Sequence, residues 1–176
     1  RFAECAAAIA RGSGTPLGKP IAAIDLAVVP CNDGPVAHDD VAAADLGTDV
    51  AGEAVVAGPH VNDRYFDDEQ AVARNKIVDG KGRIWHRTGD VVRRDDDGML
   101  WLVGSVSSRV TTARGVIDSI AVENIAVSGG DVHRAALIKG SAGSDAHLVL
   151  EPAAFMTWLL PWRRRRLAAS VSKKLA

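Results

Sequence analysis

The stretch Trp85-His86-Arg87-Thr88-Gly89-Asp90 lies between two segments that each carry an Asp-Gly turn signal. The first segment, Asp79-Gly80-Lys81-Gly82, precedes it. The second, Asp95-Asp96-Asp97-Gly98, separates the strand-like residues 91–94 from the apolar run 99–103. Asp-Gly between such runs predicts a hairpin turn, because glycine accepts the positive φ that tight turns require. The six-residue stretch is therefore expected between two consecutive hairpins, and the apolar run predicts a strand buried on both faces.

The rest of the chain divides into segments of helical or strand-like composition that glycine and proline interrupt. Helices are predicted over residues 1–11, 67–76, 120–128 and 164–176, and strands over residues 21–29, 53–57, 135–139 and 146–150. Residues 109–120 predict another hairpin, and the small residues 105–108 have the composition of a linker. This order predicts an α+β chain with two parts, a β-rich unit over 1–104 and a small α+β unit over 105–176.

The composition limits the class of protein. The chain has 176 residues, 47% of them hydrophobic, so a packed core is feasible. Its formal net charge of −1 gives no overall attraction to nucleic acid or to a membrane. The cysteines, Cys5 and Cys31, are too few for a disulfide framework and are typical of a reducing compartment. We therefore expect a cytoplasmic protein that binds no nucleic acid and does not associate with membranes.

The sequence does not match the spacing of a phosphate-binding loop, of a calcium loop or of a His/Cys metal site. The turn Gly12–Lys19 contains glycines and a lysine, but Pro20 follows where a phosphate-binding loop opens a helix, so a strand-entry turn is favoured. Counting a calcium loop from Asp95 places Val106 at the twelfth position, which requires a glutamate, so a hairpin tip is favoured. The histidines and cysteines do not occur at metal-ligand spacing, and no metal site is predicted.

The segment Trp158-Leu159-Leu160-Pro161-Trp162, followed by Arg163–Arg166, leaves two interpretations open. Aromatic rings beside a cluster of positive charge can contact a membrane surface or nucleic acid. A run of charges is more commonly a solvated face, and we favour this second interpretation, with the arginines opening a surface helix.

The motif and its surroundings together resemble the acyl-adenylate-forming (AMP-binding) superfamily of acyl-CoA synthetases, luciferases and peptide-synthetase adenylation domains. Trp85–Asp90 is similar to the family's Thr-Gly-Asp motif. The flanking segments that resemble the family in order and spacing are Thr15–Pro20, Gly52–Pro59, Asp63–Ala71 and Asp96–Gly104. The similarity extends over residues 14–125. Within the superfamily the chain resembles the β-lactone synthetases of bacterial olefin biosynthesis, in part through Lys76-Ile77 and Arg109–Gly115.

The resemblance implies a fold and a reaction. Residues 1–104 would form the β-rich C-terminal end of the large adenylating domain, a distorted barrel with hairpins. Residues 105–176 would form the hinge and part of a small C-terminal lid, which rotates between the two steps of the reaction. A carboxylic acid substrate, such as a β-hydroxy fatty acid, attacks ATP with Mg²⁺ present and gives acyl-AMP and pyrophosphate. The acyl group then passes to CoA or to the substrate's own β-hydroxyl.

The resemblance also implies the cofactor-binding residues. Asp90 would accept hydrogen bonds from the ribose hydroxyls of ATP or AMP, since a carboxylate has two acceptor oxygens. The plainer alternative is a turn aspartate that satisfies backbone N–H groups. Thr88 and Gly89 would shape the turn that presents Asp90. Arg109 is a candidate to replace an arginine that the family has near its hinge, whereas Arg87 is expected to support the motif.

The departures from the family pattern limit the predicted activity. Ser105 and Ser107 occupy the hinge positions where the family has arginine and aspartate or lysine. The family's Ser/Thr/Gly-rich phosphate loop and its C-terminal lysine find no match. We therefore assign no catalytic residue, expect a fragment of an adenylating enzyme, and expect these 176 residues to be inactive by themselves. The alternative hypothesis is a decayed, non-catalytic binding module of the same fold.

Overall fold

A computed structural model of the chain describes residues 2–35, 40–140 and 145–175. The chain forms two compact units, Leu17–Ser107 and a second one that combines Arg1–Pro16 with Ser108–Ala176. We call them the sheet unit and the terminal unit. Helix α1 (Phe2–Ala10) belongs to the terminal unit, and strand β1 (Thr15–Gly18) crosses the boundary.

This division differs from the sequence-based one at residue 104 in two ways: it assigns the first sixteen residues to the terminal unit and residues 105–107 to the sheet unit. The first difference is the larger one. The physical reason is packing over a long sequence separation. An ideal Cβ at Gly12 would lie only 2.7 Å from the side chain of Ile125, so the turn after α1 lies close to a residue far along the sequence.

The sheet unit is built from antiparallel strands. Its elements are β2 (Asp25–Val29), β3 (Ala51–Ala57), α2 (Glu69–Asn75), β4 (Lys76–Val78), β5 (Ile84–Arg94) and β6 (Leu100–Ser105). Within this unit the strands follow the order β6-β5-β3-β2, and β4 pairs with the first part of β5. The predicted strand over 21–29 begins only at Asp25. Residues 21–24 form a turn instead, in which the Ile24 amide donates to the Ile21 carbonyl at 3.0 Å. Helix α2 begins after Asp68, whose carboxylate accepts from the amide of Ala71 at 2.8 Å.

Both faces of this sheet are covered. One buried cluster includes Val29, Val41, Val55, Ile77 and Trp85, and the other includes Val28, Ala54, Val92 and Leu100. The burial of Leu100, Trp101 and Val103 confirms that β6 is buried on both faces.

The terminal unit contains two hairpins and three further helices. After the short 3₁₀ turn Val106–Ser108, its elements are β7 (Val110–Thr112), β8 (Gly115–Ile117), α3 (Ser119–Val127), β9 (Val132–Lys139), β10 (Ala146–Pro152), α4 (Phe155–Leu159) and α5 (Pro161–Leu175). Strands β7 and β8 pair with each other, as do β9 and β10, both antiparallel. Ala126, Val132, Leu167 and Val171 form its core. The sequence did not predict α4, but the α+β class is confirmed. No helix in the described ranges combines the length and the apolar character that crossing a membrane requires.

The two predicted hairpins use the same device, an aspartate that accepts from a tryptophan six residues later. The Asp79 carboxylate accepts from the indole N–H of Trp85 at 3.0 Å, and the Asp95 carboxylate accepts from that of Trp101 at 2.8 Å. Each aspartate also accepts backbone amides of its own turn, including Met99 N–H at 2.8 Å for Asp95. The tryptophan hydrogen bond is the main reason that the pKa of each carboxyl lies below its ordinary value.

Replacing Asp95 by asparagine is expected to lower the free energy of unfolding at neutral pH by about 1 kcal/mol, because hydrogen bonds to an ionised acceptor are lost. The folded-state pKa of Asp95 is lowered, so its contribution is complete above the ordinary value of 3.8 and disappears as pH falls through the folded value. Urea unfolding followed by tryptophan fluorescence should thus give a higher free energy of unfolding for the wild type than for Asp95→Asn. This difference should decrease as the pH is lowered into the acid range. The control is Asp96→Asn, which removes a charge from the exposed tip of the same turn. A difference in the free energy of unfolding that does not change with pH would contradict the role given to the ionised Asp95 carboxylate.

Candidate functional site

A β-bulge lies inside the motif, at the point where β3 and β5 pair. Glu53 is opposite Val91, but Val55 is opposite Arg87, so three residues of β5, Thr88 to Asp90, face the single residue Ala54. The resemblance implies a turn here, shaped by Thr88 and Gly89. The structure instead has one continuous eleven-residue strand with a bulge, which corrects that expectation. Bulges redirect side chains and are common beside functional sites.

Side chains and backbone groups within the bulge hold its shape. The Thr88 hydroxyl donates to the Ala54 carbonyl at 2.8 Å and accepts from the Asp90 amide at 3.1 Å. Gly89 has φ of 74°, a conformation that glycine adopts without steric cost. The Gly89 amide donates to the Glu53 carboxylate at 3.2 Å. Thr88 and Gly89 therefore shape the bulge.

The bulge presents Asp90 at the surface. The backbone of Asp90 pairs with Ser105 of β6, and its side chain is exposed. Among residues 2–35, 40–140 and 145–175, none forms a hydrogen bond or an ion pair with the Asp90 carboxylate. The Asp90 side chain thus does not accept from backbone N–H groups of its own turn, as the alternative interpretation of this aspartate requires. Its oxygens remain able to accept two hydroxyl donors of a ligand.

Beneath the bulge lies a buried ion pair. Glu53 is 1% exposed and Arg87 is 6% exposed. The guanidinium donates to both carboxylate oxygens, from Nε at 3.2 and 3.1 Å and from Nη2 at 2.6 Å. Together with the Gly89 amide, these bonds give the Glu53 carboxylate the partners that a buried charge requires.

The remaining N–H groups of Arg87 reach two other segments. Nη1 donates to the Gly34 carbonyl at 2.5 Å and to the Arg74 carbonyl near the end of α2 at 3.1 Å. Nη2 also donates to the Asn32 carbonyl. One guanidinium therefore joins β3, the loop at 32–34 and helix α2, which agrees with the expected supporting role of Arg87.

A shallow groove of about 210 Å³ lies around this ion pair. Its lining residues, all in the sheet unit, are Asn32, Asp33, Glu53, Arg74, Asn75, Arg87, Gly89, Val106 and Ser107. The groove thus brings the bulge next to the segment where the sequence predicts a linker. Sequence reasoning gave no role to Glu53, although a glutamate flanked by Gly52 and three apolar residues of a strand requires a buried partner.

The histidine of the motif has a structural environment. His86 is partly buried, and its Nδ1 lies 3.3 Å from the Asn75 carbonyl. Burial and the positive charge of Lys76 lower the pKa of His86, which keeps the ring neutral at neutral pH. Lys76 is itself buried, donates to the Asn62 side chain at 2.8 Å and lies over the ring of Tyr65.

The other sequence candidates lie elsewhere. Arg109 belongs to the terminal unit, where its Nε donates to Asp118 at 2.7 Å. Its role toward a nucleotide stays a prediction. The hydroxyls of Ser105 and Ser107 lie 3.2 Å apart in the sheet unit. In the terminal unit, the rings of Trp158 and Trp162 are exposed, and the Arg163 guanidinium lies 5.1 Å from the centre of the Trp162 ring. Arg163–Arg166 are exposed, as expected for a surface helix.

Comparison with known proteins gives the following similarities. No family model matches the chain. An olefin β-lactone synthetase of Stenotrophomonas maltophilia is 38% identical over 144 residues, which are 79% of this chain and 26% of that protein. An indoleacetate–CoA ligase of Aromatoleum aromaticum is 31% identical over 94 residues, covering 53% of this chain and 18% of that protein. The chain thus spans about a quarter, or less, of the length of the curated relatives it matches.

A solved structure supports the fold. The anthranilate CoA ligase AuaEII, in complex with anthranoyl-AMP, superposes with a TM-score of 0.69 at 17% identity, over 92% of this chain and 28% of that protein. At this level of identity the likeness shows the α+β fold alone.

Replacing Arg87 by lysine is expected to lower the free energy of unfolding by about 3 kcal/mol, because an ammonium cannot bond the Glu53 carboxylate and three carbonyls at once. The control is Arg93→Lys on the same strand, whose partner Asp49 is 59% exposed. That exposed pair should contribute less than about 1 kcal/mol. Chemical denaturation gives the free energy of unfolding of both variants. Similar decreases for the two would contradict the larger contribution assigned to the buried ion pair.

Proposed function

We propose that this chain, which resembles the C-terminal part of acyl-adenylate-forming enzymes in sequence and in fold, supplies the ribose-binding wall of a nucleotide site in an ATP-dependent carboxylate-activating enzyme. The carrying observation is the Asp90 carboxylate, exposed at a bulge and without a bond to any residue in the described ranges. A carboxylate in this state matches the two neighbouring hydroxyls of a ribose, each of which donates one hydrogen bond.

The proposed reaction follows the chemistry of such enzymes. A carboxylate oxygen attacks the α-phosphorus of ATP, the bond to the β-phosphate oxygen breaks, and acyl-AMP and pyrophosphate result. The CoA thiol or the substrate's own β-hydroxyl then loses its proton and attacks the acyl carbon, the bond to the AMP phosphate oxygen breaks, and AMP leaves with a thioester or a β-lactone as the product. For the parent enzyme we propose a β-hydroxy fatty acid as the substrate and the cytoplasm as the location; the similarity to an olefin β-lactone synthetase supports the lactone product.

Magnesium would neutralise phosphate charge when it is bound with ATP. The described part of the chain contains no group of three His, Cys, Asp or Glu side chains arranged for a metal ion. For Asp90 we propose a role toward the ribose. The contribution of Asp90 is to orient the nucleotide, and Thr88 and Gly89 hold the bulge in the shape that exposes it.

A second candidate function is a binding module that has lost catalysis. Ser105 and Ser107 favour it, because hydroxyls at the hinge cannot supply the charge of a guanidinium. The nucleotide-binding wall is common to both candidates. They differ in whether the chain, joined to the rest of its parent protein, forms acyl-AMP.

Replacing Asp90 by asparagine should weaken ATP binding roughly tenfold or more, because hydrogen bonds to a charged acceptor contribute about 1.5–3 kcal/mol. Binding is measured by titrating ATP into the ¹⁵N-labelled chain and following amide resonances. The same titration with 2′,3′-dideoxy-ATP should be weak in the wild type and unaffected by the substitution. The control Asp97→Asn removes a charge from the exposed hairpin tip. Equal ATP affinity for Asp90→Asn and wild type would refute the ribose assignment.

The 176 residues alone are expected to release no pyrophosphate from ATP with a fatty or aromatic carboxylic acid, because the hinge serines give no positive charge to the developing transition state. A coupled pyrophosphate assay tests this, and a parent-length relative provides the positive control. Release above the rate without protein would contradict the expectation.

A further inference from the structure

We propose that Glu53, together with Arg87, is the positioning residue for Asp90: its buried carboxylate fixes the β5 bulge and so fixes where the ribose-binding carboxylate lies. This inference rests on the proposed function for its ligand, but its structural part can be tested without nucleotide. Glu53 itself is buried beneath the bulge and is 1% exposed, so it acts through the backbone that it holds.

The register explains why the bulge needs such an anchor. Three residues of β5 face the single residue Ala54, so the normal ladder cannot pair all of their backbone groups. The Gly89 amide falls in this gap, and it donates to Glu53 Oε1. A carboxylate at position 53 therefore accepts the amide that the neighbouring strand leaves without a backbone partner.

Burial gives this contact its rigidity. A buried carboxylate is stable only with its hydrogen-bond partners in place, and those seen for Glu53 are the Gly89 amide and the Arg87 guanidinium. The guanidinium is in turn bonded to carbonyls of the loop at 32–34 and of α2. The peptide between Thr88 and Gly89 is thus connected, through Glu53 and Arg87, to β3, the loop at 32–34 and α2, so its position depends on the network as a unit.

Glutamine at position 53 keeps the volume of the side chain but not its chemistry. Its amide nitrogen is a donor, and it would face either the Gly89 N–H or the N–H groups of Arg87. One contact is lost in either orientation. Glu53→Gln is therefore expected to loosen the Gly89 peptide while Asp90 stays chemically intact.

The matched control is Asp45→Asn. Asp45 forms another ion pair of the sheet unit, with Arg94 Nη1 and Nη2 each 3.0 Å from one of its carboxylate oxygens. Arg94 lies on the same strand, β5, but at its end, beyond the bulge. This variant weakens a half-buried ion pair without touching Glu53, Gly89 or Asp90.

Two readouts separate positioning from general stability. The first is the Gly89 amide resonance in ¹⁵N-glycine-labelled chain without nucleotide, assigned with Gly89→Ala. The second is the ratio of the affinities for ATP and for 2′,3′-dideoxy-ATP. Glu53→Gln should shift the Gly89 resonance and lower this ratio several-fold, toward the value of Asp90→Asn. Asp45→Asn should leave both unchanged, even where it lowers the free energy of unfolding.

The possible outcomes are distinct. An unchanged Gly89 resonance and an unchanged ratio in folded Glu53→Gln would overturn the inference. The Gly89 resonance could shift in Glu53→Gln while the wild type binds ATP and 2′,3′-dideoxy-ATP equally. This result would refute the proposed function and support only the role of Glu53 in holding the bulge. Should Glu53→Gln not fold, the double variant Glu53→Gln/Arg87→Met removes both buried charges together, which proteins often tolerate. A folded double variant that keeps the wild-type ratio would likewise overturn the inference.

Discussion

The ion pair between Glu53 and Arg87 is the interaction on which the rest of the sheet unit depends. Two opposite charges at 1% and 6% exposure are stable only when every donor and acceptor around them is satisfied. That requirement places the loop at 32–34, the end of α2 and the Gly89 amide around one guanidinium and one carboxylate. Through these bonds the bulge is connected to the loop at 32–34 and to α2.

The two hairpins beside the pair have the complementary function of fixing β5 at both ends. Asp79 and Asp95 each hold their own turn and the indole of a buried tryptophan. Trp85 and Trp101 lie on adjacent strands, so the same carboxylate-to-indole contact aligns β4 with β5 and β5 with β6. Local turn chemistry therefore sets the ends of the strand, and the buried ion pair sets its middle.

In this arrangement the residue proposed to bind the ligand is exposed, and the residues that hold it in position are buried. The Asp90 carboxylate is exposed and forms no hydrogen bond or ion pair within the described ranges, whereas the groups that determine its place are buried beneath it. Rigid support below an exposed polar group is the arrangement that ligand orientation requires, since a displacement of about 1 Å is enough to weaken a positioned interaction greatly. The similarity to adenylate-forming enzymes gives this surface its proposed ligand.

The sequence by itself determined the α+β class, both hairpins, the position of α2 and the resemblance around Asp90. These depend on local signals, namely Asp-Gly turns, helical composition and apolar runs. Only the tertiary structure decided that the motif is a bulge within one strand, that Glu53 is the partner of Arg87 and that α1 belongs with the terminal unit. The reason is sequence separation: Glu53 and Arg87 are 34 residues apart, and no local pattern specifies which buried charge meets which.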